Sequence, residues 1–284
     1  MYLKFFGLAE RPFAITPDIQ YFYLGRQHEK VLDTLMYGIE QRLGFVMLTG
    51  EVGTGKTMIT RTLLSRLNGE VDTALIINPL MSVSELLRSI TKDFGMTIRF
   101  NSPQKQIDAL NTFLLANVEK GRNALVVIDE AQNLSTEALE MLRMLTNLET
   151  AKKKLLQIML VGQPELLKML ANYELRQLNQ RITARSQLAP LSFIEMIQYI
   201  NHRVCTAGGG GRVFFEPKAC KLLHAESKGV PRLVNLLCDR ALMAAFVRET
   251  CMIDKPIMKS AIVDWRGRTP TSRWGFIKRL VFSS

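Results

Sequence analysis

The chain has 284 residues, 47% of them apolar and 22% charged, with a formal net charge of +11. Such a length suits two packed units and a tail, and such a balance excludes a disordered or collagen-like chain. Four dispersed cysteines without a Cys-x-x-Cys pair and three isolated histidines argue against a disulfide framework or a zinc site, so a reducing cytoplasm is the expected compartment.

In chain order, Met1–Phe6 runs quickly into Glu10, Arg11, Pro12 and Asp18, too soon for the apolar stretch of a secretory leader. No later apolar run reaches the ~18 residues that a membrane span needs. Short apolar runs then alternate with longer amphipathic stretches, the pattern of a parallel sheet covered by helices on both faces. Buried strands are predicted over Gly44–Thr49, Thr73–Ile77, Ala124–Ile128 and Leu155–Val161, with a weaker fifth over Ser186–Leu191. Helices are predicted over Thr57–Leu67 and over Ser84–Phe94, the second capped by Ser84. Beyond Pro190 the strand signal ends, and Phe193–Cys205, Pro217–Ser227, Pro231–Arg248 and Lys255–Trp265 read as helices broken by Gly208–Gly211 and Gly229-Val230-Pro231. The expected organisation is an αβα core over residues 1–190, a small all-α lid over 191–265, and a basic, flexible tail over 266–284. Five basic residues and no acid fall in the last twenty positions, so much of the excess charge belongs to that tail and the body is only mildly basic. A dedicated nucleic-acid surface would instead cluster its Lys and Arg on one element of the fold.

Gly50-Glu51-Val52-Gly53-Thr54-Gly55-Lys56-Thr57 matches G-x-x-x-x-G-K-[ST] between a predicted strand and a predicted helix, the setting in which this loop cradles a nucleotide triphosphate. Its glycines let backbone N–H groups turn towards phosphate oxygens, and the helix N-terminus that includes Met58 adds partial positive charge. Lys56 is expected to reach the β- and γ-phosphates, and Thr57 to ligate Mg²⁺. Ala124–Ile128 is an apolar strand ending in Asp129 and Glu130. Asp129 is the expected second Mg²⁺ ligand, and Glu130 is the group expected to orient and activate the attacking water on ATP.

Gln163 follows the fourth predicted strand and reads either as a sensor of the γ-phosphate or as a turn residue capping the next helix. Arg176, Arg181 and Arg185 crowd one segment. They read as a solvated face or as the source of an arginine offered to a neighbouring subunit, with Arg181 first and Arg185 second. Arg232 sits in the first turn of a helix, where the dipole disfavours a cation. Either it meets a phosphate or it snorkels over the helix surface.

Matched segments extend this pattern along the chain: Tyr2-Leu3 and Phe6-Gly7-Leu8 with Pro12-Phe13 and Thr16-Pro17-Asp18; Leu48–Thr57; Ile128-Asp129-Glu130-Ala131-Gln132. They continue through Thr146–Thr150, Gly162-Gln163-Pro164-Glu165-Leu166, Leu178–Ile182 and Gly229–Asn235. With these, residues 1–263 resemble the AAA+ family that includes the secretion protein GspA (ExeA), and more closely its short branch of MSHA pilus biogenesis ATPases. The resemblance implies an AAA+ αβα core with a helical lid, working as a nucleotide-dependent, ring-like homo-oligomer. It casts Arg181 as the arginine finger and Arg232 as a lid sensor, and it places Pro12, Phe13, Tyr23 and Leu24 near the adenine. Longer members continue into a membrane span and a peptidoglycan-binding domain, so wall binding is not carried over and another component is expected to recruit this chain to the envelope.

The function expected from these readings is an ATPase coupling ATP binding and hydrolysis to a bacterial envelope machine of the type IV (MSHA-type) pilus or type II secretion class. Its rival is a DNA-associated AAA+ ATPase of the transposition-helper or initiator type, for which residues 191–265 offer neither a helix-turn-helix nor a basic recognition helix. A nucleotide-gated scaffold with slow hydrolysis is a third reading. In the tail, helical spacing places Phe276, Ile277, Leu280 and Val281 on one arc, away from Lys278 and Arg279. A peripheral contact with an anionic inner-membrane surface is expected there, with a terminus that docks on a protein as the alternative.

Overall fold

A computed structural model describes residues 2–67, 69–97, 102–150 and 153–267. The chain opens with α1 (Tyr2–Phe6) and α2 (Arg26–Glu40), then β1 (Phe45–Gly50), α3 (Lys56–Arg66), β2 (Val71–Ile76), α4 (Val83–Asp93) and α5 (Pro103–Glu119). There follow β3 (Asn123–Ile128), α6 (Thr136–Leu145), β4 (Gln157–Gly162), α7 (Glu165–Leu170), α8 (Arg176–Arg181) and β5 (Ile182–Leu188). The last part comprises α9 (Phe193–Thr206), β6 (Phe214–Phe215), α10 (Pro217–Ser227), α11 (Pro231–Val247), β7 (Met252–Ile253) and α12 (Lys255–Trp265). No helix among the described residues is long and apolar enough to cross a membrane.

Two compact units result. The sheet unit holds residues 24–52 and 56–189. Its five parallel strands lie in the order β2-β3-β4-β1-β5. The central strands β1, β3 and β4 are buried along their whole length, which is why they read as unbroken apolar runs. Their alternate residues serve two faces. Phe45, Met47, Val126, Ile128, Ile158 and Leu160 join a core with Leu86, Leu114, Leu142 and Leu166 from α4, α5, α6 and α7. On the other face α2 approaches β1 so closely that a Cβ on Gly38 would lie 2.5 Å from Val46 Cγ1. The edge strand β5 alternates buried and exposed positions, with Thr183, Arg185 and Gln187 outward. It therefore begins four residues earlier than the apolar run suggests and ends at Leu188. The cap of α4 is Ser82 rather than Ser84: its hydroxyl and Glu85 form a reciprocal capping box.

The helical unit holds residues 2–23, 53–55 and 190–267. Residues 1–23 were expected with the αβα core. Instead Tyr2, Phe6, Leu8, Phe13 and Tyr21 are buried in one cluster with Met196, Leu223, Leu237 and Ile257 of α9, α10, α11 and α12. Arg203 fixes this segment. It is 7% exposed, donates through Nη2 to Ala14 O at 3.1 Å and through Nε to Pro12 O, and bonds Tyr199 Oη at 3.0 Å through Nη1. The unit is also not wholly helical, because Phe214–Phe215 and Met252–Ile253 pair as a two-strand parallel ribbon. Helix α11 follows a close crossing at Gly229 (φ +75°), whose carbonyl accepts the Leu191 N–H at 2.9 Å. The amphipathic arc expected over Trp274–Val281 lies outside the described residues.

Candidate functional site

Three of the parallel strands deliver polar residues from their C-terminal ends, the edge at which ligands bind in open α/β sheets. β1 ends at Gly50 and feeds the loop that opens α3. Gly53 and Gly55 adopt φ of +80° and +106°, values that L side chains rarely take, so the loop needs glycine at both. Thr54 is buried, Val52 is 54% exposed, Glu51 and Thr57 are exposed, and Met58 is half-buried. Lys56 is only 6% exposed, and its Nζ donates to Gly50 O at 2.8 Å and Glu51 O at 3.2 Å. Burial lowers its pKa, while Glu130, Asp129, Glu51 and Glu165 pull it back up. The ammonium is thus partly stripped of water and held at the mouth of the loop by neutral carbonyls, ready to exchange them for anionic oxygens.

β3 ends beside that loop. Asp129 is 8% exposed, its Oδ2 accepts from Thr57 Oγ1 at 3.4 Å, and its Oδ1 accepts the Glu130 N–H at 2.9 Å. Burial raises its pKa, so a neighbouring cation would favour the ionised form. A hydroxyl and a carboxylate side by side are hard oxygen donors that suit Mg²⁺, which commonly takes one or two protein ligands and fills its shell with phosphate and water. No cluster of three or more His, Cys, Asp or Glu that could cage a metal occurs among the described residues. The donor set and the loop fit a Mg²⁺-bound triphosphate.

Glu130 takes a left-handed backbone conformation (φ 52°, ψ 41°), uncommon for a residue with a side chain. Burial pushes its carboxyl up, but hydrogen bonds from Gln163 and Gln132, with Lys56 nearby, hold it below the ordinary glutamate value. It is ionised at neutral pH. β4 lies between β3 and β1, so Gln163 reaches this carboxylate: its Nε2 donates to Glu130 Oε2 at 3.0 Å. Its side chain therefore does not cap α7. Gln132, which sequence reasoning gave no role, donates from Nε2 to the same Oε2 at 2.6 Å. In the sequence it stands two positions after Glu130, at the end of the matched segment Ile128-Asp129-Glu130-Ala131-Gln132.

Arg176, Arg181 and Arg185 make their contacts elsewhere. Arg181 Nη1 donates to Asn147 Oδ1 at 2.6 Å, Arg143 O at 3.3 Å and Thr146 Oγ1 at 3.4 Å, closing the C-terminal end of α6. Arg185 is held by Asn179 and by Ile182 O, and Arg176 stacks on the Tyr173 ring at 3.9 Å. Arg232 is exposed in the first turn of α11, and its backbone N–H donates to Gly53 O at 3.2 Å within the helical unit.

Residues 39–170 match the model of the AAA domain family. The chain is 48% identical over 249 residues to general secretion pathway protein A of Aeromonas hydrophila, a match that takes in 87% of this chain and 45% of that protein. It thus spans less than half the length of this relative. Among solved structures, the Aeropyrum pernix ORC1 protein in complex with DNA superimposes with a TM-score of 0.67 at 18% identity, over 90% of this chain and 69% of that one. The ADP form of Aeropyrum pernix ORC2 gives 0.64 at 17% identity, over 89% and 72%. The parallel five-stranded sheet, its glycine-rich loop and these likenesses establish the fold of this chain as that of a P-loop AAA+ protein.

Proposed function

We propose that this chain binds ATP with Mg²⁺, hydrolyses it, and couples that cycle to the assembly or operation of a bacterial envelope machine of the type II secretion or MSHA-type pilus class. The observation that carries the hydrolytic reading is the convergence of Lys56, Thr57, Asp129, Glu130 and Gln163 at one edge of the sheet. In this reading the N–H groups of the Gly50–Thr57 loop and Lys56 Nζ hold the phosphate chain, and Thr57 and Asp129 hold the metal. Bound Mg²⁺ would supply neutralisation of the charge that develops on the phosphate oxygens. The ionised Glu130 orients water and accepts its proton, and the Gln163 amide sits within reach of the same water. The envelope assignment is supported by the 48% identity to general secretion pathway protein A. The likeness to origin-recognition proteins, at 16–18% identity, speaks to fold alone and does not favour the DNA-associated reading. In the family pattern Arg181 would act in trans within a ring-like homo-oligomer, and Arg232 would meet a phosphate.

Two variants test the chemistry. Lys56→Ala is expected to abolish tight binding of a fluorescent ATP analogue, whereas Glu130→Gln should bind it normally and hydrolyse ATP slower by on the order of 10²-fold. Normal turnover by Glu130→Gln would remove it from the role of base. For the envelope role, a strain lacking the chain should lose protein secretion or surface pili and recover them with the wild-type chain but not with Lys56→Ala. Unaltered secretion and piliation would overturn that assignment.

A further inference from the structure

Glu130 does not meet the reaction edge with two equivalent oxygens. Both amide donors near it, Gln132 Nε2 at 2.6 Å and Gln163 Nε2 at 3.0 Å, converge on Oε2. Among the described residues no hydrogen-bond donor reaches Oε1. Gln132 has its other end occupied as well, because Oε1 of its amide accepts the backbone N–H of Gln163 at 3.0 Å. A backbone N–H can only donate, so the oxygen of Gln132 must face it and the NH₂ must face Glu130. The orientation of the Gln132 amide is therefore dictated by its neighbours. Space for it comes from Gly162 at the end of β4, where an added Cβ would lie 2.9 Å from Gln132 Oε1.

We propose that Gln132 is a positioning residue for hydrolysis: its amide locks Glu130 to the end of β4 through Oε2 and so presents Oε1 to the water. The proposal rests on the hydrolytic reading above. Both bonds of the Gln132 amide go to residues of the reacting edge, not to the core, and together they tie Glu130, after β3, to the Gln163 backbone, after β4. Without it, the Glu130 side chain keeps only the Gln163 amide, and Gln163 loses the acceptor for its own N–H. Holding the base in one orientation is worth a large rate factor, since displacement by about 1 Å can cost on the order of 10²-fold.

The test uses the full chain and two substitutions. Gln132→Ala removes both bonds; Gln132→Glu keeps the length and the acceptor for the Gln163 N–H but removes the donor to Glu130. Both are expected to lower kcat by roughly ten-fold or more, with affinity for a fluorescent ATP analogue changed less than about two-fold. Added to Glu130→Gln, Gln132→Ala should slow single-turnover hydrolysis no further, because the group that it positions is already gone. In nucleotide-free protein, hydrogen exchange at the Gln163 amide, followed by NMR, should speed up in Gln132→Ala and stay protected in Gln132→Glu. Normal kcat in Gln132→Glu, a further loss in the Glu130→Gln background, or unchanged Gln163 exchange in Gln132→Ala would each overturn the proposal. Wild-type protein that binds ATP without hydrolysing it would instead bring down the hydrolytic reading and this role with it. The exchange measurement would then report separately on the amide array.

Discussion

Gly229 offers a perturbation with its own control inside the helical unit. Its φ is +75°, and a Cβ there would lie 1.9 Å from Leu191 O and 3.0 Å from Leu191 C, both backbone atoms that cannot swing aside. Gly211 has nearly the same φ, +78°, yet nothing lies within 4 Å of its would-be Cβ. Gly211→Ala therefore carries only the left-handed strain, about 1 kcal/mol. Gly229→Ala adds a backbone shift that breaks the 2.9 Å bond from Leu191 N to Gly229 O and disturbs the Leu191 carbonyl, which also meets His224 Nε2 at 3.3 Å. A lost bond with a buried group left unpaired adds about 1–3 kcal/mol, for a total of roughly 3 kcal/mol. At ~2–4 °C per kcal/mol for a chain of this size class, Tm should fall by about 10 °C for Gly229→Ala and about 3 °C for Gly211→Ala. Differential scanning calorimetry of the two variants decides it. Equal shifts would refute the close crossing and leave backbone strain as the whole effect.

The cysteines divide by burial: Cys205 and Cys251 are exposed, while Cys220 is pushed up to about 11 and Cys238 well above the ordinary thiol value. A chromogenic disulfide reagent should titrate two thiols in native protein at pH 8 and four in denaturant; three or four fast native thiols would contradict the packing of α10 and α11. Arg181→Ala should keep nucleotide binding and lose turnover, and mixing it with Lys56→Ala protein should restore some activity if the arginine works across subunits; no recovery in intact assemblies would oppose a trans role. Ser82→Ala should cost about 1 kcal/mol through loss of the α4 cap, whereas Ser84→Ala should change urea-unfolding stability by only a few tenths. The reverse order would restore the start at Ser84.

Where burial is complete, sequence and structure coincide, because a strand covered on both faces is apolar at nearly every position. That is why β1, β3 and β4 were legible to within a residue or two, and with them the positions of Lys56, Asp129 and Gln163. β5 was not, because an edge strand with one wet face needs only every second residue apolar, and Arg185 on the wet face disguised it. The N-terminal segment misled for another reason. Tyr2, Phe6 and Phe13 announce burial but not the partner, and the residue that fixes their neighbourhood, Arg203, reads in sequence as one more helical arginine.

The site divides along the same line. A motif locates groups whose chemistry is fixed by residue type and by strand ends, so the phosphate loop and the two acids could be named from spacing. It does not locate groups whose role is set by a hydrogen bond across strands. Gln132 and Gln163 are thirty-one positions apart, and they meet because β4 pairs with β3 and Gly162 leaves room between them. The left-handed turn at Glu130 completes the arrangement by placing Gln132 two residues on, beside the carboxylate that it bonds. Pairing order, a missing Cβ and one unusual φ thus turn an adjacent acid pair into two distinct groups. Asp129 is buried against Thr57, whereas Glu130 takes two amide donors on a single carboxylate oxygen.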